Sequence, residues 1–206
     1  MKWFLGNWDQ VLLAAYQHLV IVLITLAISS VIALALGIWA ARSLRVQRWA
    51  LAASGMLYTV PTLAFLALLI PIVGLGRSNA IICMVAFSLM ILIRNVAVGI
   101  RGVDAEVIDA ARGMGLTVRQ VLLQVELPLA APVIVAGLRI ATVTVISVAV
   151  VAAYVNAGGL GTLIFNGISN DHTPKIWTGA LAACALAVAA DTLLARLEGR
   201  LRRRSA

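Results

Sequence analysis

Residues 99–132 read GIRGVDAEVIDAARGMGLTVRQVLLQVELPLAAP. This polar island interrupts an otherwise apolar chain, and its reading decides the fold. Val103, Val107, Ile108 and Ala111 recur at the spacing of one helix face. Asp104, Glu106 and Asp109 stand towards the start of that helix and Arg112 towards its end, the polarity that the helix dipole favours. Gly113 and Gly115 can end it. Thr117 then caps a second short helix, 118–126, with Gln120 three residues on as in a capping box. Leu127-Pro128 closes the segment. Such an amphipathic hairpin either lies on a membrane surface or meets a protein. Interfacial helices usually carry Lys and Arg on their polar face. This one carries acids, which anionic lipid repels, so a protein partner is expected. Four of the eight acids (Asp104, Glu106, Asp109 and Glu126) fall in this stretch and mark where that partner docks.

On either side the chain is greasy. Of 206 residues, 63% are hydrophobic and 12% charged, with a mean hydropathy of +1.05. A soluble domain is near half apolar and about a quarter charged. Too few polar residues exist to cover a soluble globule of this size, and disorder needs low hydrophobicity. Only two cysteines are present, Cys83 and Cys184, both in apolar runs, so a disulfide scaffold is excluded. A helix needs about 20 apolar residues to cross a bilayer. The apolar runs give five spans, 18–41, 49–73, 78–98, 133–155 and 176–196. No ten-residue alternation repeats, which excludes a β-barrel. The expected class is all-α, a polytopic membrane protein. Residues 1–13 form an outer-interface segment carrying Trp3, Phe4 and Trp8, 14–195 the membrane domain, and 196–206 a basic cytoplasmic tail. The first run is too long for the apolar core of a signal peptide and reads as an uncleaved span.

Sixteen Lys and Arg stand against eight acids, a net charge of +8. In a membrane protein, cations mark cytoplasmic loops first, so no nucleic-acid partner is needed. With five spans, Arg42, Arg45, Arg48, Arg94, Arg101, Arg112, Arg119, Arg196, Arg200, Arg202, Arg203 and Arg204 fall on one side. Lys2, Arg77 and Lys175 fall on the other, and Arg139 lies near the inner end of the fourth span. The expected topology is N-out, C-in. The tail from Arg200 to Arg204 anchors it and touches anionic membrane lipid.

The opening stretch resembles the EAA loop of ABC importer permeases, whose form is E-A-A, three residues, G, nine residues, I, any residue, L-P. Asp109-Ala110-Ala111 stands in the first place, with Asp for Glu. Gly115 follows after three residues. Nine residues later come Val125, Glu126, Leu127 and Pro128, with Val for Ile. Further runs are similar to the osmoprotectant branch of those permeases. They are Arg94-Asn95, Gly99 to Asp104, Asp109 to Gly115, Glu126 to Ile134, Thr59 to Ala64 and Asn156 to Gly161. The resemblance covers about residues 14 to 195. It implies the type I importer fold of methionine-permease-like proteins. It also implies a coupling helix that docks in a groove of a cytoplasmic ABC ATPase subunit. The coupling residues would be Glu106, Asp109, Ala110, Ala111, Arg112, Gly113, Gly115, Leu127 and Pro128. Small side chains among them let two backbones approach, and Asp109 or Arg112 adds a charged contact or a cap. The resemblance further implies two ATPase subunits, an extracytoplasmic substrate-binding protein, and residence in a prokaryotic cytoplasmic membrane. The chain shows no internal repeat, so a second copy or a homologous permease is expected to form the other half. No cofactor is expected on the chain itself. ATP belongs to the partner subunits, in keeping with the lack of a G-x-x-x-x-G-K-[ST] loop.

The implied cargo is a compatible solute such as glycine betaine, choline or carnitine, moved by alternating access. Recognition of the quaternary ammonium would reside mostly in an aromatic cage of the binding protein. Two other transport readings stay open. Methionine permeases share the five-span size and a similar glycine-rich stretch. The scaffold subunit of an energy-coupling-factor transporter also carries Ala-Arg-Gly, present here at Ala111 to Gly113, but in a pair of motifs where this chain has one. An intramembrane hydrolase is excluded: there is no G-x-G-D, no H-E-x-x-H, and no G-x-S-x-G with a plausible His.

Other positions keep two readings each. Pro61 inside the second span is an ordinary kink or a hinge lining the pathway. Asn156, Gly158, Gly159 and Gly161 form a simple turn, or an outer gate or docking surface for the binding protein. The segment 156–175 has room for a short re-entrant helix. Arg139 and Asp191 snorkel or pair. His18 and His172 lack partners at metal-ligand spacing, so no metal and no role is assigned to them.

Overall fold

The structure, a computed structural model, describes residue 3 and residues 6–205. Lys2 and Phe4, expected on the outer side, lie outside the described residues, as does the side chain of Arg204. The main elements are α1 (Trp8–Arg42), α2 (Leu44–Thr59), α3 (Thr62–Val73), α4 (Arg77–Arg101), α5 (Ala105–Gly113), α6 (Val118–Gln120), α7 (Leu127–Val151), α8 (Leu160–Ser169) and α9 (Thr173–Ser205). A π-helical turn, Val121–Glu126, joins α6 to α7, and a 3-10 turn, Ala152–Val155, ends α7. Among the described residues there is no strand.

Hydrogen bonds between helix ends establish the number of crossings. Arg101, at the end of α4, donates through Nε to the Ala41 carbonyl at 3.0 Å and through Nη2 to that of Ala40 at 2.5 Å. The ends of α1 and α4 therefore coincide, and the two helices run the same way. The connection 43–76 must return across the bundle. At the other end the Gly76 N–H donates to the Val155 carbonyl at 2.6 Å, so the 118–155 rod runs against α4. At its middle α7 is tied to α9 by Arg139 and Glu198 at 2.7 Å, and further along Val145, Ile146 and Ala149 pack with the earlier Leu186, Ala187 and Ala190, which makes α9 antiparallel to it. Four helices are long and apolar enough to span a membrane, and the bent pair α2–α3 supplies the fifth crossing. Four of the five expected spans stand as single helices, the second is this bent pair, and the bundle has an arginine end and a glycine end.

Two of those spans differ in form from the expectation. The second is not one helix. α2 and α3 meet at 99° across Val60-Pro61. Pro61 has no N–H to continue the ladder and drives the preceding residue out of the helical region. Val60 is extended (φ −70°, ψ 128°), and its N–H turns back to the Leu57 carbonyl at 3.2 Å. Pro61 thus breaks the helix outright rather than bending it. The fourth span begins well before residue 133, because the helix does not stop at Leu127-Pro128. It runs from Val118 to Val155 as one rod. The π turn makes this possible. The Pro128 ring would crowd the carbonyl four residues back. Widening the preceding turn, with the Leu127 N–H bonded to the Leu122 carbonyl, absorbs the proline within the helix.

The core is a three-helix seam of α1, α4 and α7. Ile21, Val22, Ala80, Met84, Val145, Ile146 and Ala149 fill one part, and Ala33, Ala40, Leu92, Ile93, Ala97 and Ala141 another. Small residues dominate the second part, since lipid supplies no hydrophobic drive between helices and close backbone approach must supply the packing. Gly37 is the tightest point of the α1–α4 contact. A β-carbon there would sit 2.5 Å from Val96 Cβ. Gly37→Ala should cost about 1–3 kcal/mol through overpacking. Thermal unfolding in detergent followed by circular dichroism should show it, and adding Val96→Ala should recover most of the loss. Unchanged unfolding of Gly37→Ala would mean that the helices do not meet there.

Candidate functional site

The polar island folds as a capped helical hairpin at the arginine end. Asp104 accepts the Glu106 N–H at 2.9 Å and starts α5. At the other end the Gly115 N–H donates to the Arg112 carbonyl at 2.9 Å, and the Leu116 N–H to that of Ala111 at 3.2 Å. This is the Schellman pattern, and it requires the left-handed conformation that Gly115 adopts at φ 85°. Gly113 is the last helical residue rather than the cap. The Thr117–Gln120 capping box is present in both directions. Gln120 Oε1 accepts the Thr117 N–H at 2.8 Å, and Thr117 Oγ1 accepts the Gln120 N–H at 3.4 Å.

The residues read as coupling positions divide. Glu106, Asp109, Ala110, Arg112, Gly113 and Gly115 are exposed along the hairpin, and Pro128 is exposed on the rod. Asp109 and Arg112 pair at 3.6 Å in the open, an arrangement that contributes little to stability. Ala111 is 2% exposed and turns into its own chain. Leu127 is half-buried against Val96, Ile100 and Ala130. The expected group of free acids also divides. Asp104 is a cap. Glu126 is 1% exposed, and both its carboxylate oxygens accept from the Arg42 guanidinium, Oε1 from Nη1 at 2.9 Å and Oε2 from Nη2. Glu126 is therefore not part of an open acidic face. Val107, read from the sequence as part of the apolar face, is exposed, and so are Met114 and Val118, which that reading passed over, at 75% each.

The glycine end is built differently. Asn156 (φ 61°), Gly158 and Gly159 take left-handed conformations in succession and turn the chain into α8, the short helix that 156–175 had room for. Two side chains of α1 hold its start. Gln17 Oε1 accepts the Gly159 N–H at 3.2 Å, and His18 Nδ1 accepts the Leu160 N–H at 3.3 Å. His18 Nε2 then carries the proton and donates to the Ile146 carbonyl at 3.2 Å. His18 is fully buried, and a β-carbon on Gly161 would run into the Val150 carbonyl. A cavity of about 440 Å³ opens here, lined by Gln17, Arg77, Asn156, Thr162, Asn166 and Lys175 among others. Pro61 does not join this group. It is exposed at the α2–α3 corner, while α3 reaches the same end through Leu66 and Val155.

Of the other positions, Arg139 and Asp191 are an ion pair, closed by two bonds of 3.0 and 3.1 Å, with Glu198 as a third member. No group of His, Cys, Asp and Glu suited to a metal occurs among the described residues. His18→Ala would leave the Leu160 N–H unpaired in the interior, at a cost of about 1–3 kcal/mol. Hydrogen exchange should then quicken across 157–169 and stay unchanged across 105–120. Equal protection of 157–169 in both proteins would mean that His18 does not hold α8.

These features agree with comparisons to known proteins. The family model described as "Binding-protein-dependent transport system inner membrane component" matches residues 33–203. The carnitine transport permease protein OpuCB of Listeria monocytogenes is 39% identical over 201 residues, 98% of this chain and 92% of that protein. The choline transport system permease protein OpuBB of Bacillus subtilis is 35% identical over 95% of this chain and 90% of its own length. The osmoprotectant import permease protein OsmW of Salmonella typhimurium is 34% identical over 96% and 94%. In architecture the chain is similar to the MetNI methionine ABC transporter in an inward-facing conformation, with a TM-score of 0.82 over 95% of this chain and 97% of the other, at 20% identity. This multi-span helical bundle with a capped hairpin at its arginine end thus belongs to the binding-protein-dependent transport system inner membrane components, the multi-pass ABC importer permeases of prokaryotic inner membranes.

Proposed function

We propose that this permease moves a compatible solute of the quaternary ammonium class (glycine betaine, choline, carnitine or a close relation) inwards by alternating access. The observation that carries the reading is the position of the hairpin. It is capped at every end, exposed along Glu106, Asp109, Ala110 and Gly113, and set at the arginine end of the bundle. That end gathers Arg42, Arg45, Arg48, Arg101, Arg112 and Arg119, which supports an N-out, C-in orientation with the hairpin in the cytoplasm. There it is available to an ABC ATPase subunit that carries the ATP site this chain lacks. A second permease, identical or homologous, completes the pathway. An extracytoplasmic binding protein delivers cargo to the glycine end. The names of the relatives support the cargo class. Methionine is the second reading, and the likeness behind it, at 20% identity, speaks to architecture alone.

The test is uptake by the reconstituted complex. Radiolabelled glycine betaine, choline or carnitine should accumulate with ATP inside the vesicles, and methionine should not; the reverse result would move the chain to the second reading. Docking has its own variant. A β-carbon on Gly113 meets nothing within 4 Å, and Gly113 sits in ordinary helical conformation, so Gly113→Trp should insert and fold normally. Uptake should fall at least roughly tenfold, since a factor of ten is about 1.4 kcal/mol of lost docking. Normal uptake in Gly113→Trp would count against this surface as the docking face. Gly115→Ala provides a contrast. It strains the left-handed cap by about 1–2 kcal/mol and should show as faster exchange of amides in 111–117.

A further inference from the structure

We propose that Arg42 and Glu126 are positioning residues for energy coupling, a strut that makes the hairpin and the membrane helices move together. The proposal rests on the hairpin being the ATPase contact. A push on the hairpin can enter the membrane by two routes. One is the turn at Gly102 into the end of α4, and the other is the α6 stem into the rod that becomes α7. The second route passes through the π turn at 121–126 before it reaches the bilayer helix. Turns of this kind interrupt the regular α-helical ladder and recur at functional sites. Left alone, this turn would flex and absorb the push.

The structure places a brace at its last residue. Glu126 is buried and held by two bonds from one guanidinium, a geometry that fixes direction as well as distance. The guanidinium belongs to the last residue of α1, where the chain leaves the helix at Ser43 (φ −138°). The same corner is tied to the third helix. Arg101, ending α4, donates to the Ala40 and Ala41 carbonyls just before Arg42 and to Gln47 Oε1 at the start of α2. The carboxylate thus ties the stem to the end of α1, and the Arg101 bonds tie that same corner to α2 and α4. Only the Glu126 half of the pair is buried, with Arg42 42% exposed, and such a pair is weak evidence for stability, since replacing both partners with apolar groups is often neutral. Its two-pronged geometry across a soft turn points to mechanical work instead.

The measurement is ATP hydrolysed per solute taken up, in vesicles holding the full complex with its binding protein. The probe is whichever of glycine betaine, choline or carnitine the wild-type complex accumulates. Glu126→Gln keeps the shape and loses the charge. The expected result is ATPase activity within about twofold of wild type and uptake down at least tenfold, so the ratio rises at least fivefold. Arg42→Lys keeps the charge and loses the fork, and should raise the ratio at least threefold. It carries the test if Glu126→Gln does not assemble. An unchanged ratio in an assembled variant, whether both activities fall together or neither falls, overturns the proposal. Failure of the docking reading is distinguishable, because it appears as undisturbed uptake in Gly113→Trp.

Discussion

Inside a bilayer no water is available to satisfy a broken backbone, so every interruption of a helix must be repaired by the protein itself. This chain interrupts its helices at several places, and each repair names a residue. At Val60-Pro61 the amide turns back to Leu57. At the end of α3, buried Asn79 donates to the Leu66 carbonyl at 3.2 Å and to that of Gly74 at 2.9 Å. At the start of α8, Gln17 and His18 accept the amides of Gly159 and Leu160. The Gly76 amide finds Val155. The repairs at α8 and at Gly76 join elements distant in sequence, and so they also set how the crossings are arranged. The fold follows from where the helices break as much as from where they run.

That division explains what the sequence made legible. The crossings were readable because bilayer thickness imposes a length on apolar runs, and the hairpin because its caps are local. Asp104, Gly115, Thr117 and Gln120 all act within three or four residues of themselves. The repairs were not readable. His18 acts on Ile146 and Leu160, 128 and 142 residues away, and nothing in its neighbours distinguishes it from a spare polar residue. Glu126 was misplaced for the same reason. It sits in a polar stretch and looks open, but its partner is 84 residues back. Leu127-Pro128 looked like a stop because a proline normally is one. The π turn that admits it has no sequence signal of its own.

Charge is distributed to match. At the arginine end the acids that could weaken the positive excess are tied up. Glu126 pairs with Arg42, Asp191 with Arg139, and Glu198 with both Arg139 and Arg202. Burying such groups is expensive unless they are paired and bonded, and the observed pairs meet that demand with two-pronged geometry at Arg42 and Arg139. Glu106 and Asp109 are left as the acids open to a partner on α5, beside exposed apolar side chains.

The hairpin's caps have a consequence for how such proteins diversify. All the bonds that shape α5 and its turn come from within residues 104–120, and none of them comes from the side chains on its outer surface. Glu106, Ala110 and Gly113 can therefore drift without disturbing the bundle, while Asp104, Gly115 and Thr117 cannot. A duplicated copy of this chain could acquire a taste for a different motor through a few surface changes, each neutral to folding. The module is built so that its outer surface and its shape depend on different positions.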